Sequence, residues 1–174
     1  FLEFAAPPSD TVAVEFRGKG SVSYALLARG QLRWGAEEQD IGRKGLNLRL
    51  EMPEKTWSAG EEVPLVAVLQ ERGDGAENCM LEIGLGPALA PNPSALDALV
   101  KAGIIQRHEQ LGDRLVLYLG SLPPGKEQKL ALSLMAVREG RFRMPPARAY
   151  EYYRPENLAV VPGKTITVKQ ESTP

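Results

Sequence analysis

Length, composition and charge exclude several classes of protein. The chain has 174 residues, 43% of them hydrophobic and 25% charged, which is the mixture of a folded domain and not of a disordered tail. A chain of this size buries roughly 70% of the surface that its unfolded form exposes, so it can build a core without disulfides. With 21 basic and 22 acidic residues the net charge is -1, and we expect no nucleic acid partner because no extended positive field would attract phosphates.

The start of the chain indicates a piece of a larger protein, and its hydropathy bears on membrane insertion. The chain opens with Phe1 to Phe4, a stretch that has neither an initiating Met nor the basic region of a secretion signal. We therefore expect a module cut from a larger protein. No apolar run approaches the roughly 20 residues that a membrane-spanning helix needs, so we expect no membrane insertion by this fragment.

Residues that could carry catalysis or bind a metal ion are scarce. Cys79 is the only cysteine and His108 the only histidine, which excludes an internal disulfide and any site that needs two imidazoles. A nucleophile pair of Cys79 and His108 is conceivable, but Cys79 lies in an apolar stretch, and nothing nearby would lower the pKa of its thiol. We expect a buried thiol, no enzyme activity, no cofactor and no metal.

Short apolar segments separated by clusters of Gly, Pro and Asp predict many short strands. Such a chain folds as an antiparallel β-sandwich, so the predicted fold class is all-β. Leu130, Leu132 and Leu134 alternate with other residues, which is typical of a strand with one buried face. The predicted strands are Val12 to Phe16, Ser21 to Ala28, Asn47 to Met52, Val63 to Glu71, Cys79 to Leu85, Arg114 to Leu119, Lys129 to Val137, Arg148 to Tyr153 and Thr165 to Lys169.

The segment Arg114 to Leu119 is apolar on both faces. Leu117 and the leucines two positions away share one face, while Val116 and Tyr118 lie on the other. This pattern predicts a central strand that is covered on both sides. The residues Pro123 to Gly125 then predict a turn into the next strand, because proline presets φ and glycine accepts a positive φ.

One short α-helix is predicted near 94–103. Ser94 followed by Asp97 fits a capping box, in which both side chains satisfy the free N–H groups at a helix start. Gly103 stands where a left-handed C-terminal cap belongs. A helix this short is marginal alone, so we expect Leu96, Leu99 and Val100 to pack on the sheet.

A cluster of tyrosines marks the end of one predicted strand. Alternation places Tyr150 and Tyr152 on one face and Tyr153 on the other. The cluster could bind sugar rings or a partner's side chains, since tyrosine is enriched in recognition surfaces. The favoured alternative is that the tyrosines cover the core and form hydrogen bonds at its rim. Trp34 and Trp57 are further candidates for stacking on sugars.

Five segments in a fixed order resemble the C-terminal receptor-binding domain of alpha-2-macroglobulin-like proteins, and most closely its bacterial branch. They lie within Leu46 to Gln170, and in that family the domain is a β-sandwich with one helix, which agrees with the fold predicted from periodicity. The five segments are Pro93 to Gly103, Gly112 to Leu119, Leu122 to Gly125, Gly140 to Ala147 and Arg148 to Glu156.

The upstream residues resemble a different domain of the same family. Val14 to Tyr24 looks like the last strands of the CUB-like domain that precedes the receptor-binding domain. A boundary is expected within Gly35 to Gly45, where glycine and charged residues replace the apolar alternation. The resemblance therefore implies an incomplete CUB-like domain over 1–43 and a macroglobulin receptor-binding-like sandwich over 44–174.

The resemblance also implies a parent protein that traps proteases, in which cleavage of a bait region lets a thioester capture the protease. This chain has no Cys-x-Glu-Gln motif, since Cys79 is followed by Met80, Leu81 and Glu82, so no thioester can form here. The implied partners are the other domains of the parent, with proteases bound only through the full-length protein. The implied location is the periplasm or the extracellular space, with a lipoprotein anchor conceivable in the parent.

In animal relatives, receptor uptake depends on two lysines near the start of the helix. The corresponding positions here are Pro93 and Asp97, which lack that charge. Lys101 lies in the last turn, where it favours the helix dipole. We therefore expect the helix to be a packing element, without the family's receptor binding.

The sequence thus predicts a non-catalytic module that contributes domain packing and a docking surface. The candidate surface residues are Tyr150, Tyr152, Tyr153 and Lys101. The alternative is a carbohydrate-binding or adhesin-type β-sandwich that stacks sugars on aromatic rings. A hydrolase is least favoured, because the chain lacks a nucleophile and base constellation.

Overall fold

The computed structural model describes Glu15, residues 17–20 and residues 45–170. The chain forms two compact units, Phe1–Arg33 and Trp34–Pro174. In the described part of the first unit, Arg17 forms a solvent-exposed ion pair with Glu15 at 2.9 Å. The rest of this subsection concerns the second unit.

Some predicted features lie outside the described residues. They include the predicted strand Ser21 to Ala28 and, apart from Glu15, the predicted strand Val12 to Phe16. The predicted boundary region Gly35 to Gly45 is described only at Gly45. The division into domains at 43/44 therefore stays a prediction.

The described part of the second unit is built from strands and one short helix, which confirms the predicted all-β fold class. Every strand pair is antiparallel except that of β2 and β12. The elements are β1 Leu46–Glu51, β2 Thr56–Ser58, β3 Glu62–Glu71, β4 Ala76–Gly84, β5 Leu89–Pro91, α1 Pro93–Lys101, β6 Arg107–Leu111, β7 Arg114–Leu122, β8 Glu127–Ala136, β9 Gly140–Arg143, β10 Ala147–Glu151, β11 Leu158–Val161 and β12 Thr165–Lys169.

Three sheets share one hydrophobic core. Their strand orders are β1-β3-β8-β5, β11-β10-β4-β7-β6 and β2-β12-β9. Strand β1 contacts β10 and β11 of the five-stranded sheet, and α1 contacts both β8 and β6. The helix therefore bridges the four-stranded sheet and the β6 edge of the five-stranded sheet.

Alternating apolar residues explain which strand faces are buried. Leu130, Leu132 and Leu134 are buried in β8, as the pattern predicts. In β7, which lies between β4 and β6, Leu117 is fully buried in the core. On the opposite face of β7, Val116 is buried and Tyr118 is half-buried. The predicted central position of the strand is confirmed, whereas its second face lies outside the hydrophobic core and is only partly covered.

The turn between β7 and β8 also follows the prediction. The N–H of Lys126 donates to the carbonyl oxygen of Pro123 at 3.1 Å. Gly125 has a φ of 68°, a conformation that residues with a side chain rarely adopt. Proline and glycine therefore close a tight turn that reverses the chain.

The helix begins one residue earlier than predicted, and the proposed capping box is wrong. Asn92 is the N-cap, and its Oδ1 accepts a hydrogen bond from the N–H of Ala95 at 3.4 Å. Pro93 occupies the first helical position, where its fixed φ fits and its missing N–H costs nothing. This places Ser94 inside the first turn, so it cannot act as the cap.

The predicted core contacts and the C-terminal cap of the helix are present, but Asp97 has a different role from the predicted one. The carboxylate of Asp97 contacts Nε2 of His108 at 3.1 Å. Asp97 therefore links α1 to β6 instead of capping the start of the helix. Leu96 is buried, and Leu99 and Val100 pack against the core, as expected. Gly103 follows the C-cap with a φ of 68°, which confirms the left-handed cap.

Two strand boundaries differ from the prediction in ways that matter for the site. Strand β10 ends at Glu151, so the predicted strand Arg148 to Tyr153 is two residues too long. Strand β4 begins at Ala76 and is irregular near Asn78, which has a φ of 50°.

Within residues 45–170 and the few described before them, no helix is long and apolar enough to span a bilayer.

Candidate functional site

The structure separates the three tyrosines of the predicted cluster. Tyr150 lies on β10 and is half-buried, and its hydroxyl donates to Oε1 of Glu82 at 2.8 Å. Burial, followed by this hydrogen bond, raises the pKa of Tyr150 to about 12. Tyr152 and Tyr153 follow the end of the strand, and 59% and 78% of their surfaces are exposed. The interpretation that the tyrosines cover the core is therefore wrong for these two.

Tyr152 and Tyr153 form an exposed aromatic pair, which we call the tyrosine tip. Their ring centroids lie 5.1 Å apart and the ring planes are nearly perpendicular, at 89°. The N–H of Tyr152 donates to the carbonyl oxygen of Asn78 at 3.1 Å, which anchors the tip to β4. An edge-to-face pair is a favourable arrangement of two rings, so each ring supports the other at the surface.

A buried carboxylate holds the base of the tyrosine tip. Glu151 is almost fully buried and accepts hydrogen bonds from the N–H of Glu77 at 2.7 Å, Nη2 of Arg154 at 2.8 Å and Nδ2 of Asn157 at 2.7 Å. Burial alone would raise its pKa, but these donors outweigh burial and keep the pKa of Glu151 below its ordinary value. The carboxylate is therefore ionised at neutral pH and fixes the turn that carries both rings.

Lys101 is not brought together with the tyrosines. It lies exposed in the last turn of α1, a helix that contacts β6 and β8. Strands β4 and β7 separate β6 from β10, the strand from which the tyrosine tip extends. Lys101 and the tyrosine tip therefore cannot form one continuous site.

A second cluster surrounds Glu82, a residue that the sequence did not single out. Arg148 binds its carboxylate through Nε at 2.8 Å and Nη2 at 2.9 Å, and Nη1 of Arg114 joins them at 3.2 Å. Burial acts to raise the pKa of Glu82, but the bonds from Arg148, Tyr150 and Arg114 hold this pKa below its ordinary value. The alternation of β4 predicts that Glu82 lies on the face opposite to that of the buried Leu81. The arginines that bind Glu82 are brought to it only by the register of the neighbouring strands.

The tryptophan predicted to stack on sugars is not available for that role. Trp57 is buried, and Nζ of Lys55 lies 4.1 Å from its ring centroid. Trp34 lies outside the described residues. Tyr150 uses its hydroxyl within the protein, and the perpendicular rings of the tyrosine tip do not form a flat platform. The described aromatic residues therefore give no support to the carbohydrate-binding alternative.

The conceivable nucleophile pair does not form. Cys79 is buried on β4 and His108 lies on β6, with β7 between them. Burial, with a smaller effect of the nearby Glu151 and Glu71, raises the pKa of the Cys79 thiol to about 11. Within the described part of the chain, no group of three or more His, Cys, Asp or Glu residues could hold a metal ion.

Comparison with known proteins gives the family of the chain. Residues 43–156 match the family described as "Bacterial Alpha-2-macroglobulin MG10 domain". No curated protein matches the sequence. Solved structures match in fold at low sequence identity, which by itself shows only the shared architecture.

Two of these structures illustrate the match. Native alpha-2-macroglobulin from Escherichia coli, spanning domain MG7 to the C-terminus, matches with a TM-score of 0.60 and 13% identity, over 72% of this chain and 24% of that one. Salmonella alpha-2-macroglobulin reacted with methylamine matches with a TM-score of 0.58 and 16% identity, over 71% of this chain and 9% of that one. The chain thus spans only a small part of the length of the proteins it matches. The family match over more than half of the chain shows that it belongs to the bacterial alpha-2-macroglobulin family, in which it corresponds to the MG10 domain.

Proposed function

We propose that this chain is a non-catalytic module that holds other domains of a macroglobulin-like parent protein in place, with the tyrosine tip as a docking surface. The observation that carries the proposal is the exposure of Tyr152 and Tyr153 on a turn fixed by the buried Glu151. Large aromatic rings that are rigid and exposed are typical anchors of protein interfaces, because they bury much surface at little cost in entropy.

Protease trapping and export would be properties of the full-length parent protein. Proteases would be trapped only by the full-length protein, since this chain has no Cys-x-Glu-Gln segment for a thioester. The parent would be exported to the periplasm or the extracellular space. Lys101 would act at the C-terminal end of the helix dipole and not in receptor contact, as Pro93 and Asp97 stand where a receptor-binding relative has lysines.

Hydrogen exchange in the full-length parent and in the isolated chain tests the docking surface. We expect the amides of Tyr152 and Tyr153 to exchange more slowly in the parent, because a docked domain would shield the turn. Val137, which is also exposed, serves as the control and should exchange alike in both proteins. If all three amides exchange at the same rates in the parent as in the isolated chain, the tip faces solvent in the parent.

A variant separates docking from folding. Replacing Tyr152 and Tyr153 with Ser should leave the melting temperature of the isolated chain nearly unchanged, because both rings are exposed. In the parent, the same double substitution should abolish the slow exchange. If the isolated chain unfolds instead, the rings are structural and the docking proposal fails.

A further inference from the structure

Two exposed carboxylates border the tyrosine tip. Glu156 follows Tyr153 in the connection between β10 and β11. Glu77 lies on β4 next to Asn78, whose carbonyl oxygen accepts the N–H of Tyr152 at 3.1 Å. In the described part of the chain, neither glutamate carboxylate forms a hydrogen bond or an ion pair. Both charges are therefore open to solvent and to a partner.

The charge balance around the tip is negative. Arg154 is the single basic residue among residues 152–157, and its Nη2 donates to Oε1 of the buried Glu151 at 2.8 Å. Glu151 raises the pKa of Arg154 most, and Glu156 and Glu77 lie near enough to add to this effect by attraction. Three carboxylates thus surround one guanidinium group, so three negative charges and one positive charge give a balance of -2.

Charges in the neighbouring loop cancel one another. The loop between β3 and β4 borders the tip, because the carbonyl oxygen of Gly75 accepts a hydrogen bond from the same guanidinium group at 3.3 Å. Its acidic residues are the buried Glu71 and the exposed Asp74. Its basic neighbours are Arg72 and Lys126, whose carbonyl oxygen accepts the N–H of Glu71 at 3.0 Å. The loop therefore leaves the negative excess at the tip unchanged.

The rings of the tip suit a positively charged side chain. In their edge-to-face arrangement, the ring that contributes its edge keeps both of its faces clear of the other ring. The face of an aromatic ring attracts the cation of lysine or arginine within about 6 Å. Among the described residues, such cations lie over Trp57, Tyr118 and Tyr150, but over neither ring of the tip.

We propose that the tyrosine tip, together with Glu77 and Glu156, binds an arginine or lysine side chain on another domain of the parent protein. The cation would lie over a ring of the tip and would be attracted by the two carboxylates. An uncharged apolar partner would use the rings but would gain nothing from the excess negative charge. This inference rests on the proposed function, because it names the chemistry of the surface that docks on the tip.

A titration of the 174-residue chain, followed by nuclear magnetic resonance, tests the proposal. The probe is a short synthetic peptide of alternating Ser and Arg. The control peptide carries citrulline, which has the shape of arginine without its charge. We expect the Arg peptide to shift the amide signals of Tyr152 and Tyr153 with a dissociation constant of about 1 mM, and to bind more weakly as salt is added. The citrulline peptide should leave these signals in place.

Charge variants test the two carboxylates. Glu77→Gln and Glu156→Gln should each weaken binding of the Arg peptide about threefold, because each removes one exposed charge. Their melting temperatures should match that of the unchanged protein, since neither carboxylate is bonded within the described part of the chain. Glu139→Gln is the matched control, because Glu139 is an exposed glutamate in the turn between β8 and β9. It should bind the peptide like the unchanged protein.

Ring variants test the aromatic contact. Replacing both Tyr152 and Tyr153 with Phe keeps the ring faces, so the affinity should stay within about twofold. Replacing both with Ser removes these faces and should weaken binding about fivefold. Equal losses in the Phe and Ser variants would contradict a contact between the cation and a ring.

Three further results would overturn the proposal. They are the absence of any shift at about 10 mM Arg peptide, equal binding of the citrulline peptide, and an equal weakening by Glu139→Gln. An equal response of the same signals to magnesium chloride would also overturn it, because it would indicate a general site for cations.

Hydrogen exchange in the parent separates this inference from the docking proposal. If the double variant of Glu77→Gln and Glu156→Gln keeps the slow exchange of the tip while the double Ser variant loses it, the tip docks on a surface that is not cationic. The inference then fails and the docking proposal stands. If the tip never exchanges slowly in the parent, the docking proposal itself fails.

Discussion

Asn157 lies so close to Gly45 that a side chain at position 45 would overlap its amide group. The same amide oxygen accepts a hydrogen bond from the N–H of Leu46 at 3.0 Å, where β1 begins. Gly45 also has a φ of 104°, which disfavours any other residue. The start of β1 and the turn beneath the tyrosine tip are therefore joined by one side chain.

Replacing Gly45 with Ala should destabilise the protein. The substitution combines backbone strain with displacement of Asn157, and we expect a loss of about 3 kcal/mol in the free energy of unfolding. Chemical denaturation of both proteins measures it. Gly103→Ala is the control, because Gly103 also has a positive φ but nothing within 4 Å of the added carbon, and it should cost only about 1–2 kcal/mol. Equal losses would show that Asn157 moves aside freely.

The position of the helix cap gives a second prediction. Asn92→Ala should cost about 1 kcal/mol, because the N–H of Ala95 then loses its acceptor. Ser94→Ala should change the stability by less than about 0.5 kcal/mol, since Ser94 lies inside the first turn. Urea midpoints of the two variants compare them directly. A larger effect at Ser94 than at Asn92 would restore the capping box predicted from sequence.

The core of the sandwich gives a third prediction. Leu117→Ala removes a fully buried side chain from β7 and should cost about 2–5 kcal/mol through the cavity that it leaves. Leu111→Ala, on the neighbouring strand but exposed, should cost less than about 0.5 kcal/mol. Thermal denaturation separates the two cases. A loss below about 1 kcal/mol at Leu117 would mean that the surrounding sheets close the cavity.

The buried carboxylates predict how stability depends on pH. The pKa values of Glu82 and Glu151 lie below their ordinary values in the folded protein, so the unfolded chain binds protons more readily in acid. Their contribution is complete above about pH 5 and is lost as the pH falls through the folded pKa values. The free energy of unfolding should therefore decrease below about pH 5. Glu82→Gln should make this decrease shallower, and an unchanged slope would show that Glu82 does not contribute.

The fold could be predicted from the sequence because apolar residues alternate strongly in the strands that line the core. Leu130 to Leu134 and Leu115 to Leu119 alternate over whole strands, and these strands form where predicted. Strand β6, by contrast, was missed because it reads Arg-His-Glu-Gln-Leu, a polar pattern at the edge of a sheet. Edge strands are held by backbone pairing and not by burial, so their side chains reveal little.

The site was harder to predict than the fold. The tyrosines could be named from sequence, but their exposure depends on β10 ending at Glu151, where a buried carboxylate turns the chain. Glu82 could not be connected with Arg114 and Arg148, because their pairing depends on the register of three strands. A shift of one residue in that register would turn every one of these side chains to the other face.

The parallel pair of β2 and β12 constrains how the protein is made. It joins Thr56 to Thr167, so the three-stranded sheet cannot close until the ribosome has released nearly all of the described chain. Until then β2, which carries the buried Trp57, has no strand to pair with and is exposed to chaperones and proteases. The four-stranded and five-stranded sheets lack β12 and can pair earlier, so the small sheet is the last of the three to close.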